Sequence, residues 1–394
     1  MAPQRPDGVG ARIAAARRSR RLTQAKLAAA AYVSLPTVKA LERGARMPSN
    51  AVVDAIAEAL DLDPERLTGS TRISSSRAHA AMPAVRAVVD AYDVPEDGPL
   101  RPPTVLSGIV AELTALRLAS RYTRLAANVP GVMEELCRAV QTARGAEREQ
   151  AAALLASATR SADAAAYKFG YWDLSARLVE LMRWAARAAE DPLLEATAAY
   201  VRMEVFFASQ QQRSLASGVR MLQAAIDAAP APADATSRAA VGALHMRAAV
   251  AAGRNADPVS ARAYLAEAKE LARGVREGVY LGTAFGPSSY RIHEVAVATE
   301  LGDGSTVLTA AREWKPPAEM PAERRSHYNI DVARAQLWQN LPDDALESLM
   351  VARRIAPQHV REHPQVREVL RSLLRGQRSD RNALLGFAEW TGVV

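Results

Sequence analysis

The chain has 394 residues, a formal net charge of +7 and a single cysteine. This length allows two or three domains with a sizeable core. One cysteine excludes an internal disulfide framework and suits a reducing cytosol. The first residues lack the apolar stretch of a secretory signal, and no uncharged apolar run approaches the roughly 20 residues of a membrane span. We therefore expect a cytoplasmic protein with no membrane partner.

Nearly all of the net charge lies in the first fifty residues. Residues 1–50 carry ten Arg or Lys against two acids, a net of +8, so the remaining residues sum to −1. A local positive patch of this kind is typical of a surface that faces a polyanion. The alternative is a solvated, disordered tail. Helical periodicity and capping residues within the segment favour a folded domain instead.

Two helices joined by a tight turn are the clearest part of this segment. Thr23 is placed to cap a helix over residues 24–30, because a hydroxyl before an apolar run accepts a hydrogen bond from the first turn. Ser34 is placed to cap the next helix, over 35–43. Pro36 falls in its first turn, where a missing N–H costs nothing.

Three further helices complete the predicted domain. One begins near Ile13 and carries a basic face. Gly44 ends the 35–43 helix, as glycine commonly does after a last helical turn. A fourth helix begins near Asn50, and a fifth covers 63–67. Five short helices with a tight turn between the second and third indicate a helix-turn-helix plan.

In order and spacing, these residues resemble the repressor/Cro-type (XRE) helix-turn-helix family, over residues 8–68. Tyr32 stands where the family usually has glycine, so its backbone has to avoid positive φ or carry strain. Lys26 stands where an acid usually completes a reciprocal cap. The resemblance is carried by Leu22-Thr23-Gln24, Leu27-Ala28, Val33-Ser34, Thr37-Val38, Glu42, Gly44, Arg46 and Pro48.

This fold would place the 35–43 helix in the major groove of double-stranded DNA, with its first residues at base edges. Glu42 is expected to pair with an arginine of the first helix rather than to read cytosine. The predicted base contacts are Leu35, Pro36, Thr37, Lys39 and Ala40, with thymine-methyl contacts from Leu35 or Pro36. The predicted phosphate contacts are Arg17, Arg21, Gln24, Ser34, Arg43 and Arg46.

The rest of the chain predicts helices only. Residues 69–103 read as a linker that holds a short helix over 83–92. From 104 to 394, helical stretches alternate with short Gly, Pro, Asn or Asp breaks, and strand-like alternation is missing. Helices over 104–127 and 130–143 begin this part. We therefore expect an all-α chain.

A small-Leu-Ala pattern recurs in the second half of the chain with offsets of 43, 43 and 41 residues. It resembles the second helix of a tetratricopeptide-type repeat, although the standard period is 34 residues. The alternative is a chance match in an alanine-rich helical protein. The resemblance implies that an α-solenoid of TPR-like helix pairs follows the helix-turn-helix domain. The four copies are Gly218/Leu222/Ala225/Pro230, Ala261/Leu265/Ala268, Gly304/Leu308/Ala311/Pro316 and Ala345/Leu349/Ala352/Pro357.

An array of paired helices offers a concave binding face. Extrapolating the register places ten side chains on it. Each could instead be ordinary packing between repeats, but together they would suit a peptide or a small amphiphile. The ten residues are Tyr200, Met203, Phe207, Gln210, Met246, Ser289, His293, His327, Ile330 and Arg334.

Catalysis finds little support. The letters His359-Val360-Arg361-Glu362-His363 match an inverted zinc motif, which needs both histidines on one continuous helix. Pro357 and Pro364 flank the segment, and a residue before proline is pushed out of the helical region. The motif therefore reads as a loop between helices. We expect no metal, no cofactor and no catalytic residue.

These observations predict a DNA-binding transcriptional regulator. Its two-domain order resembles peptide-sensing bacterial regulators that join such a domain to a tetratricopeptide array. We expect a homodimer whose repeat domain responds to a peptide or small-molecule effector. Two alternatives stay open: a repeat domain that docks a partner protein without any diffusible ligand, and an enzyme fused to a DNA-binding domain.

Overall fold

The computed structural model describes residues 8–45, 47–48, 50–60, 62, 67, 72–209, 211–376 and 381–394. The chain divides into two compact units, residues 1–80, called the head, and residues 81–394, called the body. Both are helical. None of the described helices combines the length and apolarity that a bilayer crossing demands.

The head contains the two central helices where the caps predict them. The predicted fifth helix, over 63–67, falls almost wholly outside the described residues. The helices are α1 (Val9–Ser19), α2 (Gln24–Ala30), α3 (Leu35–Glu42) and α4 (Asn50–Ala59). Their core is Ile13, Leu27, Ala28, Val38, Leu41, Val53, Ile56 and Leu60.

Helix α5 (Arg72–Asp90) covers most of the predicted linker. The sequence predicts a helix beginning only at Pro83, since the serine-rich residues before it lack apolar periodicity. The structure instead continues the helix through Pro83, which lies in its interior. Residues 95–102 form no helix or strand, in agreement with their prolines.

The break between the first two long helices of the body lies at a residue with a left-handed backbone conformation. Ser120, with φ of 57°, lies between α6 and α7. Pro130 lies inside α7, so the predicted break near it is wrong. The body helices are α6 (Pro103–Leu118), α7 (Tyr122–Thr142), α8 (Gly145–Lys168), α9 (Trp172–Ala188), α10 (Pro192–Ala208), α11 (Gln212–Ala228), α12 (Ala235–Arg254), α13 (Pro258–Ala272), α14 (Pro287–Glu300), α15 (Gly304–Glu313), α16 (Ala322–Trp338), α17 (Pro342–Ile355), α18 (Pro357–Glu362), α19 (Pro364–Gly376) and α20 (Arg381–Thr391).

These helices stack as successive antiparallel pairs. In each pair, the first helix also packs on the first helix of the next pair, as α10, α12, α14 and α16 do. The small-Leu-Ala pattern falls on the second helices, α11, α13, α15 and α17. Gly218 lets α11 approach α10 closely: a Cβ there would lie 2.5 Å from the Sδ atom of Met203. The pattern therefore marks real helix contacts.

A two-stranded antiparallel hairpin interrupts the helices, and the sequence analysis does not predict it. Strands β1 (Gly278–Tyr280) and β2 (Thr283–Phe285) pair with Tyr280 opposite Thr283. The turn residues Leu281 and Gly282 both have positive φ, at 46° and 74°. Two such residues are the requirement of a tight type I′ turn.

Early and late parts of the body are in direct contact. The backbone N–H of Thr123, at the start of α7, donates to the side-chain oxygen of Gln358 in α18 over 3.1 Å. Cys137 is buried in the body core, and burial raises its pKa to about 12. It packs as a small apolar residue against the other buried side chains of the body core.

Candidate nucleic-acid interface and effector cavity

Helix α3 begins at a well-made cap. The Ser34 hydroxyl accepts a hydrogen bond from the backbone N–H of Thr37 over 3.2 Å. Pro36 lies in the first turn, where no backbone donor is required. Val38 and Leu41 are buried, so the opposite face of the helix is outward. The cap and this buried stripe fix which side of α3 is available to a partner.

The predicted base-contacting residues differ in accessibility. Pro36 and Lys39 are exposed, whereas Thr37 and Ala40 are half-buried. Leu35 is also half-buried and packs against the head core, which leaves only part of it for a thymine methyl group. Lys39 and Pro36 are therefore the most accessible of the predicted base contacts on the outward face of α3.

Glu42 is a structural hub at the end of α3. Its carboxylate receives a bidentate hydrogen bond from the Arg17 guanidinium at 2.6 and 2.9 Å, and a further one from the Gln24 amide at 2.8 Å. Burial opposes ionisation of Glu42, but these hydrogen bonds outweigh it and lower its pKa. Arg17 also donates to the carbonyl of Leu22 over 2.8 Å. The predicted pairing of Glu42 with a first-helix arginine is confirmed.

This hub changes the proposed phosphate set. The guanidinium of Arg17 donates its hydrogen bonds to groups within the head, so we remove Arg17 from the predicted phosphate contacts. Gln24 keeps only part of its amide available. Arg21 and Arg43 are exposed at the ends of α1 and α3, and Ser34 is exposed at the start of α3. Arg46 lies outside the described residues.

Tyr32 carries the turn between α2 and α3 in a left-handed conformation. Its φ is 53° and its side chain is 97% exposed. A left-handed L-residue costs roughly 1–2 kcal/mol, and this exposed ring regains little of it by packing. The sequence allows a backbone at Tyr32 that avoids positive φ or one that carries strain, and the structure has the strained one.

A cavity of about 810 Å³, here called the body cavity, lies along the first helices of the pairs. This volume suits a small molecule or short peptide. Its walls are strongly charged. The cations are Arg117, Arg160, Lys168, Arg247, Arg254, Arg324 and Arg367, and the carboxyl groups are Asp163, Glu204, Glu300, Glu323, Glu362 and Glu368.

Most of the cavity carboxylates are paired or uncharged. Glu204 pairs with Arg247 at 3.2 Å and Glu300 with Arg254 at 2.9 Å. Asp163 accepts a hydrogen bond from the Ser175 hydroxyl. Burial raises the pKa of Asp163 well above its ordinary value, which favours the uncharged form of this carboxyl group. Seven cationic side chains and six carboxyl groups line the cavity, so its surplus charge is positive.

That surplus converges on Tyr200. The Arg324 guanidinium donates to its hydroxyl over 2.6 Å, and the guanidinium carbon of Arg247 lies 3.9 Å from its ring centroid. Arg160 lies over the same ring at 5.6 Å. Burial alone would raise the pKa of Tyr200, but these three positive charges outweigh it and lower that pKa. The environment is one that stabilises a negative charge.

Two cavity arginines also hold the hairpin turn. Arg117 donates to the carbonyl of Gly282 over 2.7 Å, and Arg160 donates to the carbonyl of Leu281 and the hydroxyl of Thr283, each over 2.7 Å. Burial lowers the pKa of Arg160 to about 9, which leaves it charged at neutral pH. Both arginines are thus held by neutral acceptors, and neither forms a direct ion pair with a carboxylate among the described residues.

The predicted effector residues divide into three groups. Four of the ten residues line the body cavity: Tyr200, Phe207, His293 and His327. Met203, Met246 and Ile330 are fully buried, and this corrects their assignment: they pack in the core. Ser289 is buried and its hydroxyl donates to Glu277. Arg334 does not line the cavity but pairs with Glu300, which does. Gln210 lies outside the described residues.

Sequence reasoning missed the arginines of the cavity. Arg117, Arg160 and Arg247 lie within otherwise apolar or alanine-rich helices, and that interruption is the available signal. Arg324 lies in a charged stretch of its helix and has no such signal. Arginines are rarely buried unless they are paired, so several of them around one cavity stand out.

Comparison with known proteins supports the helix-turn-helix assignment of the head. A family model described as Helix-turn-helix (HTH_3) matches residues 13–67. Among solved structures, the chain is similar to the crystal structure of Bacillus thuringiensis PlcR in complex with the peptide PapR7 and DNA. The identity is 13%, the match covers 67% of this chain and 94% of that one, and the TM-score is 0.29, which supports no further conclusion. No curated protein matches the chain. Residues 13–67 are thus a helix-turn-helix DNA-binding domain.

Proposed function

We propose that this protein is a sequence-specific transcriptional regulator that reads an operator with α3 and adjusts its binding through a ligand in the body cavity. The single observation that carries the DNA-binding part is the outward face of α3, with Lys39 exposed beside a capped N-terminus in the most basic segment of the chain. Phosphate contacts from Arg21, Ser34 and Arg43 would fix the register, and base contacts would select the sequence.

Two copies of the chain would bind as a homodimer. In this arrangement two α3 helices enter successive major grooves about one DNA turn, roughly 34 Å, apart. A palindromic site in DNA selected from random sequence would support the dimer. A single, asymmetric half-site would argue for one head per site.

Replacing Lys39 on α3 and Arg43 directly after it, one at a time, distinguishes base contacts from phosphate contacts. Arg43→Ala is expected to weaken binding to every duplex alike and to flatten the salt dependence by about one unit, because a phosphate contact reads no sequence. Lys39→Ala is expected to cost about 1–3 kcal/mol on the selected site and little on random duplex. Fluorescence anisotropy over a salt series measures both.

Arg262→Ala is the matched control, since Arg262 is an exposed arginine on body helix α13. Its binding should equal that of the unchanged protein. Equal losses on selected and random duplex for both α3 variants would show that Lys39 does not read bases.

The body cavity favours an anionic effector, and the observation behind this is the convergence of Arg160, Arg247 and Arg324 on Tyr200. A ligand carboxylate would meet those guanidiniums in a water-poor site, where charge-assisted hydrogen bonds are strongest. A peptide with a free C-terminus or a small organic acid fits this description. Docking of a partner protein is the second candidate, through the same concave surface.

Pools of short peptides with free carboxylate ends, compared with the same peptides as C-terminal amides, test this assignment. Only the free-carboxylate pool is expected to raise the melting temperature, because a ligand stabilises the state it binds. Arg324→Gln should abolish the increase. An equal increase with the amides, or in the variant, would contradict the anionic assignment and leave the DNA-binding proposal untouched.

A further inference from the structure

Three histidines meet at the edge of the body cavity. His327 lies on α16, His359 lies within α18, and His363 directly follows α18. One ring nitrogen of each lies within 4.8 Å of the corresponding nitrogens of the other two. The ring centroids are 5.1 to 5.9 Å apart. No other set of three or more His, Cys, Asp or Glu side chains in the described part of the chain converges in this way.

The nitrogens of this cluster lack the hydrogen bonds that burial demands. His359 is fully buried, and neither of its ring nitrogens has a hydrogen-bond partner among the described residues. His363 is 9% exposed, and its Nδ1 atom is likewise unpartnered within the described structure. A buried polar group without a hydrogen-bond partner destabilises the folded state. Ordinary core packing leaves this cost unexplained for two adjacent rings.

We propose that His327, His359 and His363 bind one divalent transition-metal ion, with zinc the best match to three imidazole ligands. In a tetrahedral zinc site with Zn–N bonds of about 2.0–2.1 Å, ligand nitrogens lie roughly 3.4 Å apart. The observed separations are wider by up to about 1.4 Å, which small side-chain rotations can close.

The surroundings provide an orienting group and an open position. The Asp331 carboxylate, which is buried, has its Oδ2 atom 3.7 Å from the Nε2 atom of His327. No hydrogen bond joins the two groups at this distance, so Asp331 would orient the His327 ring, as carboxylates behind metal-bound histidines do, only after the pair closes to about 3 Å. His327 and His363 line the body cavity, whereas His359 does not. The fourth coordination position therefore opens on the cavity side, where water or an anionic ligand can occupy it.

The chain path explains why the motif is misleading as a sequence. Helix α18 ends at Glu362, and His363 has an extended backbone with ψ of 121° before Pro364 starts α19. The predicted loop between the two prolines is wrong, because residues 357–362 form helix α18 with Pro357 in its first turn. Pro364 still ends that helix before His363, so the two histidines are not on one continuous helix. The third ligand comes instead from α16, and the site is of a different kind from the inverted zinc motif.

Untagged full-length protein, stripped of metal with EDTA and then dialysed, is the sample for the test. Titration with ZnCl2 is expected to show one ion per chain. CoCl2 should give the intense visible absorption of four-coordinate cobalt, and X-ray absorption at the zinc edge should show nitrogen ligands of the imidazole type. Failure to bind either ion stoichiometrically, or a spectrum of octahedral cobalt with water ligands only, would overturn the proposal.

Variants locate the ion. His363→Gln and His359→Gln are expected to weaken zinc binding at least about 100-fold, since even loss of an orienting partner costs 10–100-fold. His245→Gln is the matched control: His245 is a mostly buried histidine on α12 with an unpartnered Nδ1 atom among the described residues, and it is not part of the cluster. It should bind zinc as the unchanged protein does. If His363→Gln, folded by circular dichroism, binds zinc with unchanged affinity, the assignment is wrong.

Discussion

Replacing Gly10 with alanine is expected to unfold the head and abolish DNA binding. Gly10 lies on α1 where that helix crosses the end of α3, and an added Cβ would stand 1.9 Å from the carbonyl oxygen of Leu41. The obstacle is backbone, which cannot rotate away as a flexible side chain can. Overpacking costs typically 1–3 kcal/mol, and a clash with backbone belongs at or above the upper end, about 3 kcal/mol. Small domains have little stability to lose.

Hydrogen exchange of the full-length protein measures this locally. Amides of α1 and α3 should lose protection in Gly10→Ala while those of the body keep theirs. Gly108→Ala is the control, because Gly108 is also inside a helix and a Cβ there meets no described atom within 4 Å. That change should be neutral or stabilise by up to about 1 kcal/mol. Native protection of α3 in Gly10→Ala would contradict the predicted clash.

Replacing Glu300 with glutamine is expected to destabilise the body by about 3 kcal/mol. Glu300 holds Arg254 at 2.9 Å and Arg334 at 3.2 Å. Burial opposes its ionisation, but hydrogen bonds and charge from both arginines outweigh this and lower its pKa to about 2. Relative to an ordinary glutamate, that shift corresponds to roughly 3 kcal/mol. Glutamine would leave the half-buried Arg254 without a carboxylate, whereas Arg334 would keep its contact with Asp331 at 3.4 Å. Removing one partner of a fully buried pair costs about 3–5 kcal/mol, so about 3 kcal/mol is expected for this partly exposed one.

The pH dependence of this effect has a definite sign. Because the pKa of Glu300 is lower in the folded state, its contribution is complete above about pH 4.5 and is lost as pH falls toward 2. Urea unfolding at several pH values should therefore show the unchanged protein losing its advantage over Glu300→Gln in that window. Glu313→Gln is the control, since Glu313 is also the last residue of its helix but is exposed. If Glu300→Gln changed the free energy of unfolding by no more than about 0.5 kcal/mol, as is expected of Glu313→Gln, the prediction would be contradicted.

The head is the part that local sequence rules predict best. Thr23 and Ser34 cap α2 and α3 as expected, because capping depends on residues three positions apart. Gly10 is the exception. Its requirement comes from Leu41, thirty-one residues later, and one sequence offers no sign of that approach.

The body shows where single-sequence reasoning stops. Helix existence follows from periodicity, but which face is inward depends on the rotation of each helix in its stack. The repeat register places both Met246 and His293 on the concave face, yet only His293 lines the cavity. The three-residue strands are too short for alternation to reveal. The meeting of His327 with His359 and His363 is likewise set by the stacking of α16 against α18, not by spacing.

The contacts across the body cavity change how this array should unfold. Repeats that contact only their neighbours unravel from their ends, one unit at a time. Here Thr123 reaches Gln358, and Arg117 and Arg160 reach the hairpin turn, across 121 to 235 positions in sequence. Helix pairs far apart in the chain are thereby joined into a closed loop, so releasing one end means breaking buried contacts with the other. We therefore expect the body to melt in a single cooperative step, without fraying, and calorimetry of the full-length protein would check this.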